Sequence, residues 1–370
     1  MDIWLLRTGC INARSEVQYP ELLKRETLEQ QDAQGLFQSA ESSPYGNRLC
    51  HDTHGSAKAG DRPYQEEDRM KKALFYGILA SFFFAFTFIL NRSMNLAGGY
   101  WLWAACLRYL FTLPMLVLML AREKGAMAEV WREICLRPFE WVLWSTVGFG
   151  LFYAPLTFGS VFGESWLAAA TWQLTIVAGV LLTPLFGKRI PVRNLSWSLL
   201  ILAGIFLLQV PHLKRADGGT VFLTLVPILV AAFSYPLGNR KMMACCPPSM
   251  STIKRVFGMT LCSMPFWLLL SLWAAVRSGL PGRGQVMQSL CVALFSGVIA
   301  TVLFFQATDM VKHNPRQLAV VEATQCGEVV FTLLGGIFLL QDGVPDKAGL
   351  AGIAVIVAGM IGNSLAAQEK

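Results

Sequence analysis

Ten apolar runs, each close to 20 residues, dominate this chain. They lie near 73–91, 100–121, 138–158, 166–187, 194–210, 219–238, 255–276, 286–308, 317–340 and 348–367. A helix needs about 20 apolar residues to cross the hydrocarbon of a bilayer. In lipid only a helix or a closed barrel satisfies every backbone N–H and C=O internally. Short connections carrying turn pairs such as Gly98-Gly99, Pro247-Pro248, Pro281-Gly282 and Asp342-Gly343 separate the runs. The fold class predicted is therefore an all-α integral membrane protein of ten transmembrane helices.

Charge supports this. Charged residues make up 15% of the chain, against roughly a quarter in a soluble domain. Residues 1–69 hold 8 of the 31 Lys and Arg and 12 of the 24 Asp and Glu. The remaining sequence is too poor in charge to cover a soluble surface. A net charge of +7 does not imply nucleic acid, because the basic residues fall between apolar runs and form no stripe. The nine cysteines include no CxxC pair, which argues against a disulfide framework.

The first 69 residues are polar and lack a sustained helical period. They read as a disordered or non-native extension, with the natural start at Met70. Met70-Lys71-Lys72 before an apolar run is a common opening of bacterial inner-membrane proteins. Gln65-Glu66-Glu67 can also be encoded by a purine-rich ribosome-binding sequence. Cys50-His51-Asp52-Thr53-His54 has ligand-type side chains but no second cluster to complete a metal site, so no metal and no cofactor is expected.

Lysine and arginine in the loops set the orientation. With Met70 cytoplasmic, the inside connections carry 15 basic residues and the outside ones 6. Both termini are then cytoplasmic. The charged stretch 122–137, with Trp131, reads as an interfacial segment. Trp101, Trp103 and Trp166 read as interface anchors.

The chain also repeats. Ala85-Phe86-Thr87 leads to Asn91-Arg92 in the first run, and Ala232-Phe233-Ser234 leads to Asn239-Arg240 in the sixth. Residues 85 and 232 are 147 apart, as are Arg108 and Arg255. Prolines 114 and 265, then 191 and 345, continue the register with a slowly growing offset. The division predicted is 70–210 and 211–370. Five helices per half is odd, so the second half would enter the membrane from the opposite side. Inverted repeats of this kind are common in secondary transporters.

The segment Gly77 to Arg92, the run Trp101-Leu102-Trp103 with Leu107-Arg108-Tyr109, and Tyr153-Ala154-Pro155-Leu156 resemble the ten-helix drug/metabolite transporter superfamily. Within it the chain is most similar to the multidrug resistance efflux transporter branch. The resemblance covers about four fifths of the chain, from Met70 onward. It implies an inverted 5+5 fold around a central cavity, with export coupled to an ion gradient or to exchange. Its small four-helix members place an acid within the first helix. Here there is none between Lys72 and Arg92, so this sequence does not carry proton coupling by that route.

Three ionisable residues cannot be placed in loops or at helix ends: Arg108, Glu322 and Glu328. Charges inside a membrane are costly and are functional candidates by default. At about 100° per residue, Glu322, Thr324, Gln325, Glu328 and Thr332 share one half of the ninth helix. Ala323, Cys326, Gly327, Val330, Phe331 and Leu334 share the other. Glu328 lies roughly 18 Å along the helix from Arg316, near the midplane. Two readings are open. Glu328 and Glu322 attract a cation or carry a proton, or one of them neutralises Arg108. Gln173 in the fourth run matches Gln325 in the ninth and sits beside Trp172. With Tyr153 they complete the candidate substrate- or ion-binding set. Aromatic residues of the third run, Trp141, Trp144, Phe152 and Tyr153, offer a stacking wall to a flat organic ligand.

No P-loop and no HExxH occurs, so neither an ATP-driven pump nor an enzyme is expected. The reading is a secondary-active efflux transporter of small organic molecules, with the lipid bilayer, a small-molecule substrate and protons as partners. Alternatives are a narrow-substrate metabolite exporter, or a non-transporting scaffold or lipid-modifying protein.

Overall fold

The structure, a computed structural model, describes residues 61–187, 190, 192–215, 218–311, 317, 320–321 and 324–366. The chain divides into two units, Met1–Arg62 and Pro63–Lys370, and the architecture below belongs to the second. Among the described residues every regular element is helical. In order these are α1 Asp61–Leu96, α2 Trp101–Leu120, α3 Ala126–Leu136, α4 Pro138–Ser145, α5 Leu151–Gly159, α6 Ser165–Trp172, α7 Leu174–Leu181, α8 Val192–Arg215, α9 Gly218–Cys245, α10 Thr252–Ser278, α11 Arg283–Val292, α12 Thr301–Val311, α13 Cys326–Leu340 and α14 Lys347–Ala366.

Among the described residues, six stretches are long and apolar enough to cross a membrane: 67–96, 101–120, 138–162, 222–245, 252–278 and 283–311. Four shorter apolar helical stretches, 165–181, 195–208, 326–340 and 347–363, occupy the positions of the other four runs. The first helix begins at Asp61, upstream of Met70. There Glu67 pairs with Lys71 one turn on, at 2.7 Å.

Two of these rods contain a π-helical segment, and two contain a break. Thr146–Gly150 joins α4 to α5, and Ala293–Ala300 joins α11 to α12. The two segments start 147 residues apart, the spacing of Arg108 and Arg255. The fourth run is not one helix. It breaks at Gln173, between α6 and α7. Gln173 N–H bonds back three residues to Ala170 O, and the side-chain Nε2 donates to Ala169 O at 3.2 Å, the carbonyl the backbone would otherwise reach. Side-chain competition of this kind loosens a helix locally. Before α13 the same tightening recurs. Thr324 N–H, Gly327 N–H and Glu328 N–H each bond three residues back, and Thr324 Oγ1 donates to Val321 O at 2.7 Å.

Small residues let the rods approach closely. The α8 and α14 helices cross at Gly204 and Gly352, where a Cβ on either would meet the other's carbonyl oxygen at 2.8–2.9 Å. Gly238 of α9 lies against Gly148 of the first π segment, and a Cβ there would fall inside the Gly148 backbone. Backbone cannot yield as a flexible side chain does. Gly238→Ala is therefore expected to cost about 1–3 kcal/mol, seen as a lowered midpoint of thermal unfolding in detergent.

The charged stretch after α2 forms the amphipathic α3. It buries Ala126, Val130 and Ile134 and leaves Met127, Trp131 and Leu136 exposed. Lys254, at the start of α10, holds this region through Glu123 at 2.6 Å and Glu129 at 2.8 Å. Two of the expected interface anchors differ. Trp103 and Trp166 are buried, and their indole N–H groups donate to Gly279 O at 2.8 Å and Gly343 O at 3.1 Å. Loop carbonyls folded over the helix ends supply the partner that the lipid interface would otherwise offer.

Candidate functional site

Buried polar groups from four runs make up the candidate site. Asn91 comes from α1, Arg108 from α2, Gln173 from the break itself, and Glu328 and Thr332 from α13. Their exposures are 1%, 5%, 0%, 3% and 0%. Tyr153 of α5, fully buried, links Asn91 and Arg108. Its hydroxyl accepts from Asn91 Nδ2 at 3.2 Å, and the Arg108 guanidinium lies 4.0 Å from its ring centre. Gln173 and Arg108 are the polar and the charged neighbour of the Glu328 carboxyl.

Arg108 and Glu328 are nevertheless not an ion pair. Among the described residues no salt bridge within 4 Å joins them. Several buried polar atoms have no hydrogen-bond partner: Arg108 Nε, Glu328 Oε2, Gln173 Oε1, Thr332 Oγ1 and Asn91 Oδ1. Native interiors leave few polar atoms in that condition. Here five of them belong to one neighbourhood.

Aromatic rings wall the site on two sides. Tyr109 stacks on Trp267 with centroids 4.4 Å apart and planes 12° apart, and meets Tyr153 edge-on at 5.8 Å. Phe152 packs on Trp172 at 5.0 Å and on Tyr235 at 4.7 Å. Offset and edge-to-face ring pairs of this sort are rigid apolar surfaces.

The polar half of the ninth run is turned into the protein. Thr324, Glu328 and Thr332 are buried, whereas Val330 and Leu334 are 41% and 46% exposed. Of the residues expected from sequence, Arg108, Tyr153, Trp172, Gln173 and Glu328 come together. Gln325 is half-buried in the turn before α13, its backbone carbonyl accepting from Glu328 N–H and its Nε2 unpartnered. Glu322 lies outside the described residues. A different opening in the protein, of about 280 Å³, is lined by Gly98, Tyr100, Trp103, Gln285 and Gln288 at the turn between α1 and α2, with Glu328 not among its walls.

A family model described as "EmrE: Putative multidrug resistance efflux transporter" matches residues 71–369. The chain belongs to this efflux transporter family. Its family context is that of small-molecule transport, and its apolar helices make it a multi-pass membrane protein. Two relatives are similar along much of their length. YjlA, an uncharacterized protein of Bacillus subtilis (strain 168), is 48% identical over 312 residues, 81% of this chain and 96% of the relative. An uncharacterized 42.1 kDa protein from the intracellular alkaline protease 3' region of Shouchella clausii is 46% identical over 267 residues, 70% of each chain.

For a member of the EmrE-type family, two site residues were hidden in the sequence. Asn91 marks the repeat, in the Asn-Arg pair, but nothing in the sequence says that it reaches Tyr153. Asp342 reads as a turn residue beside Gly343. Its carboxylate is in fact buried at the end of α13, where Oδ2 accepts from Ser165 N–H at 3.0 Å and Ser165 Oγ at 2.6 Å. The partner is 177 residues away in sequence, and no local pattern reports such a contact.

Proposed function

We propose that the chain is a secondary-active exporter of small organic molecules, acting by alternating access between two inverted five-helix repeats, 70–210 and 211–370. In this reading it resides in the bacterial inner membrane with both termini cytoplasmic. The observation that carries it is the matched pair of irregularities. The π segments at Thr146 and Ala293 are 147 residues apart, and the interruptions at Gln173 and Gln325 are 152 apart. Chance similarity of apolar sequence does not produce the same backbone departure at the same repeat position. Transporters with inverted repeats form their sites at discontinuous helices, where freed backbone and short polar side chains meet the cargo. Glu328 and Gln173 each stand at such a discontinuity.

In this mechanism the residues act by binding and by exchanging partners. Glu328, Gln173 and Thr332 present acceptors, Arg108 presents donors, and the aromatic walls exclude water. Rocking one repeat against the other opens the site to one side at a time. The experiment is flux in proteoliposomes holding the purified full chain, with a panel of amphipathic cations and metabolites, with and without a proton or sodium gradient. Gradient-dependent, saturable flux is the expected result. Flux confined to one metabolite class favours the narrow-substrate exporter, and no flux of any probe overturns transport.

A further inference from the structure

The site holds a buried guanidinium and a buried carboxyl group that make no direct ion pair. An arginine cannot shed its charge, and a buried charge without a partner is strongly disfavoured. Arg108 already uses the face of its guanidinium on the Tyr153 ring. What remains is the edge, and its Nε has no partner. The guanidinium edge is the surface that binds a carboxylate through paired N–H groups. On the other side, Glu328 Oε2, Gln173 Oε1 and Thr332 Oγ1 have no partner. Glu328 and Thr332 are one helical turn apart on the same face of α13. Acceptor oxygens of this kind suit the N–H donors of a primary ammonium group.

We propose that the substrates of this site are small zwitterions, with an anionic group on Arg108, an ammonium group on Glu328, Gln173 and Thr332, and an aromatic or planar apolar remainder against Tyr109 and Trp172. The inference rests on the transport reading above. A cation alone would leave the Arg108 edge without a partner, and an anion alone would leave the oxygens of Glu328, Gln173 and Thr332 without one. A zwitterion answers both and brings no net charge into a low-dielectric site.

Four probes separate the possibilities in proteoliposomes of the full chain: phenylalanine, its methyl ester (cation only), N-acetylphenylalanine (anion only) and tetraphenylphosphonium. Phenylalanine is expected to be carried at least about tenfold more efficiently than either blocked form, the loss expected for one charge-assisted contact. Arg108→Gln should erase the preference over the ester, and Arg108→Lys should retain part of it. Should Arg108→Gln fail to fold, the wild-type ratio of phenylalanine to ester still decides. Carriage of the ester or of tetraphenylphosphonium equal to or above that of phenylalanine overturns the zwitterion assignment and leaves transport standing. Flux of none of the four overturns both.

Discussion

Glu328→Gln is expected to lower coupled flux by about two orders of magnitude while the protein still inserts and folds. That size corresponds to losing one buried charged contact to a ligand. The side chain is almost isosteric, so packing at α13 should survive. What disappears is the charge. A second outcome follows if Glu328 serves chiefly to offset Arg108. The single change would then strand a buried guanidinium and lower thermal stability, because removing one member of a buried charge pair is costly. The double variant Glu328→Gln with Arg108→Gln would in that case restore both stability and flux. The geometry favours the first outcome, since Arg108 rests on Tyr153 at 4.0 Å and makes no direct ion pair with Glu328. Thermal melting and flux measured on the single and double variants separate the two roles. A fully active and normally stable Glu328→Gln protein would overturn both.

Much of this site is legible in the amino-acid sequence, and the reason is physical. An ionisable residue in an apolar run has no cheap resting place, so Arg108 and Glu328 stand out in a one-dimensional reading. Helical periodicity turns Glu328 and Thr332 to the same side, and the observed burial follows that side. The proposed repeat is read from Asn-Arg and from Arg108 and Arg255, because polar residues are rare markers in apolar text. The breaks are not readable. Gln173 interrupts its run by bonding its own side chain to Ala169 O, and that choice depends on packing around the amide, not on composition. Nor can the sequence tell an anchor from a buried donor. Trp103 and Trp166 sit at helix ends, as interface anchors do, but loop carbonyls close over them. The conversion of apolar rings into a wall around Arg108 likewise depends on which helices are neighbours.

Asp342→Ala is expected to lower stability by about 3 kcal/mol, the low end for breaking a buried charge pair. The carboxylate does two jobs at one end of the helices. Its Oδ2 caps the start of α6 by accepting from Ser165 N–H and Oγ, and its Oδ1 faces Arg92 Nε at 3.5 Å. Loss of a helix N-cap alone costs about 1 kcal/mol. The remainder belongs to the charge pair, tempered because the Arg92 side chain is 22% exposed and can turn to water. Asp342→Asn separates the parts. It keeps an oxygen for Ser165 and gives up the pairing with Arg92, so its midpoint should fall between wild type and Asp342→Ala. Arg92→Gln should cost less than Asp342→Ala, since the carboxylate retains both Ser165 donors. The other end is tied differently. Arg240, which follows Asn239 as Arg92 follows Asn91, donates to Gly179 O at 2.7 Å, a neutral partner. Arg240→Gln should therefore lower the midpoint less than Asp342→Ala does. Thermal unfolding of the four variants in one detergent tests the order, and an Arg92→Gln loss equal to that of Asp342→Ala would mean that the cap on Ser165 contributes nothing.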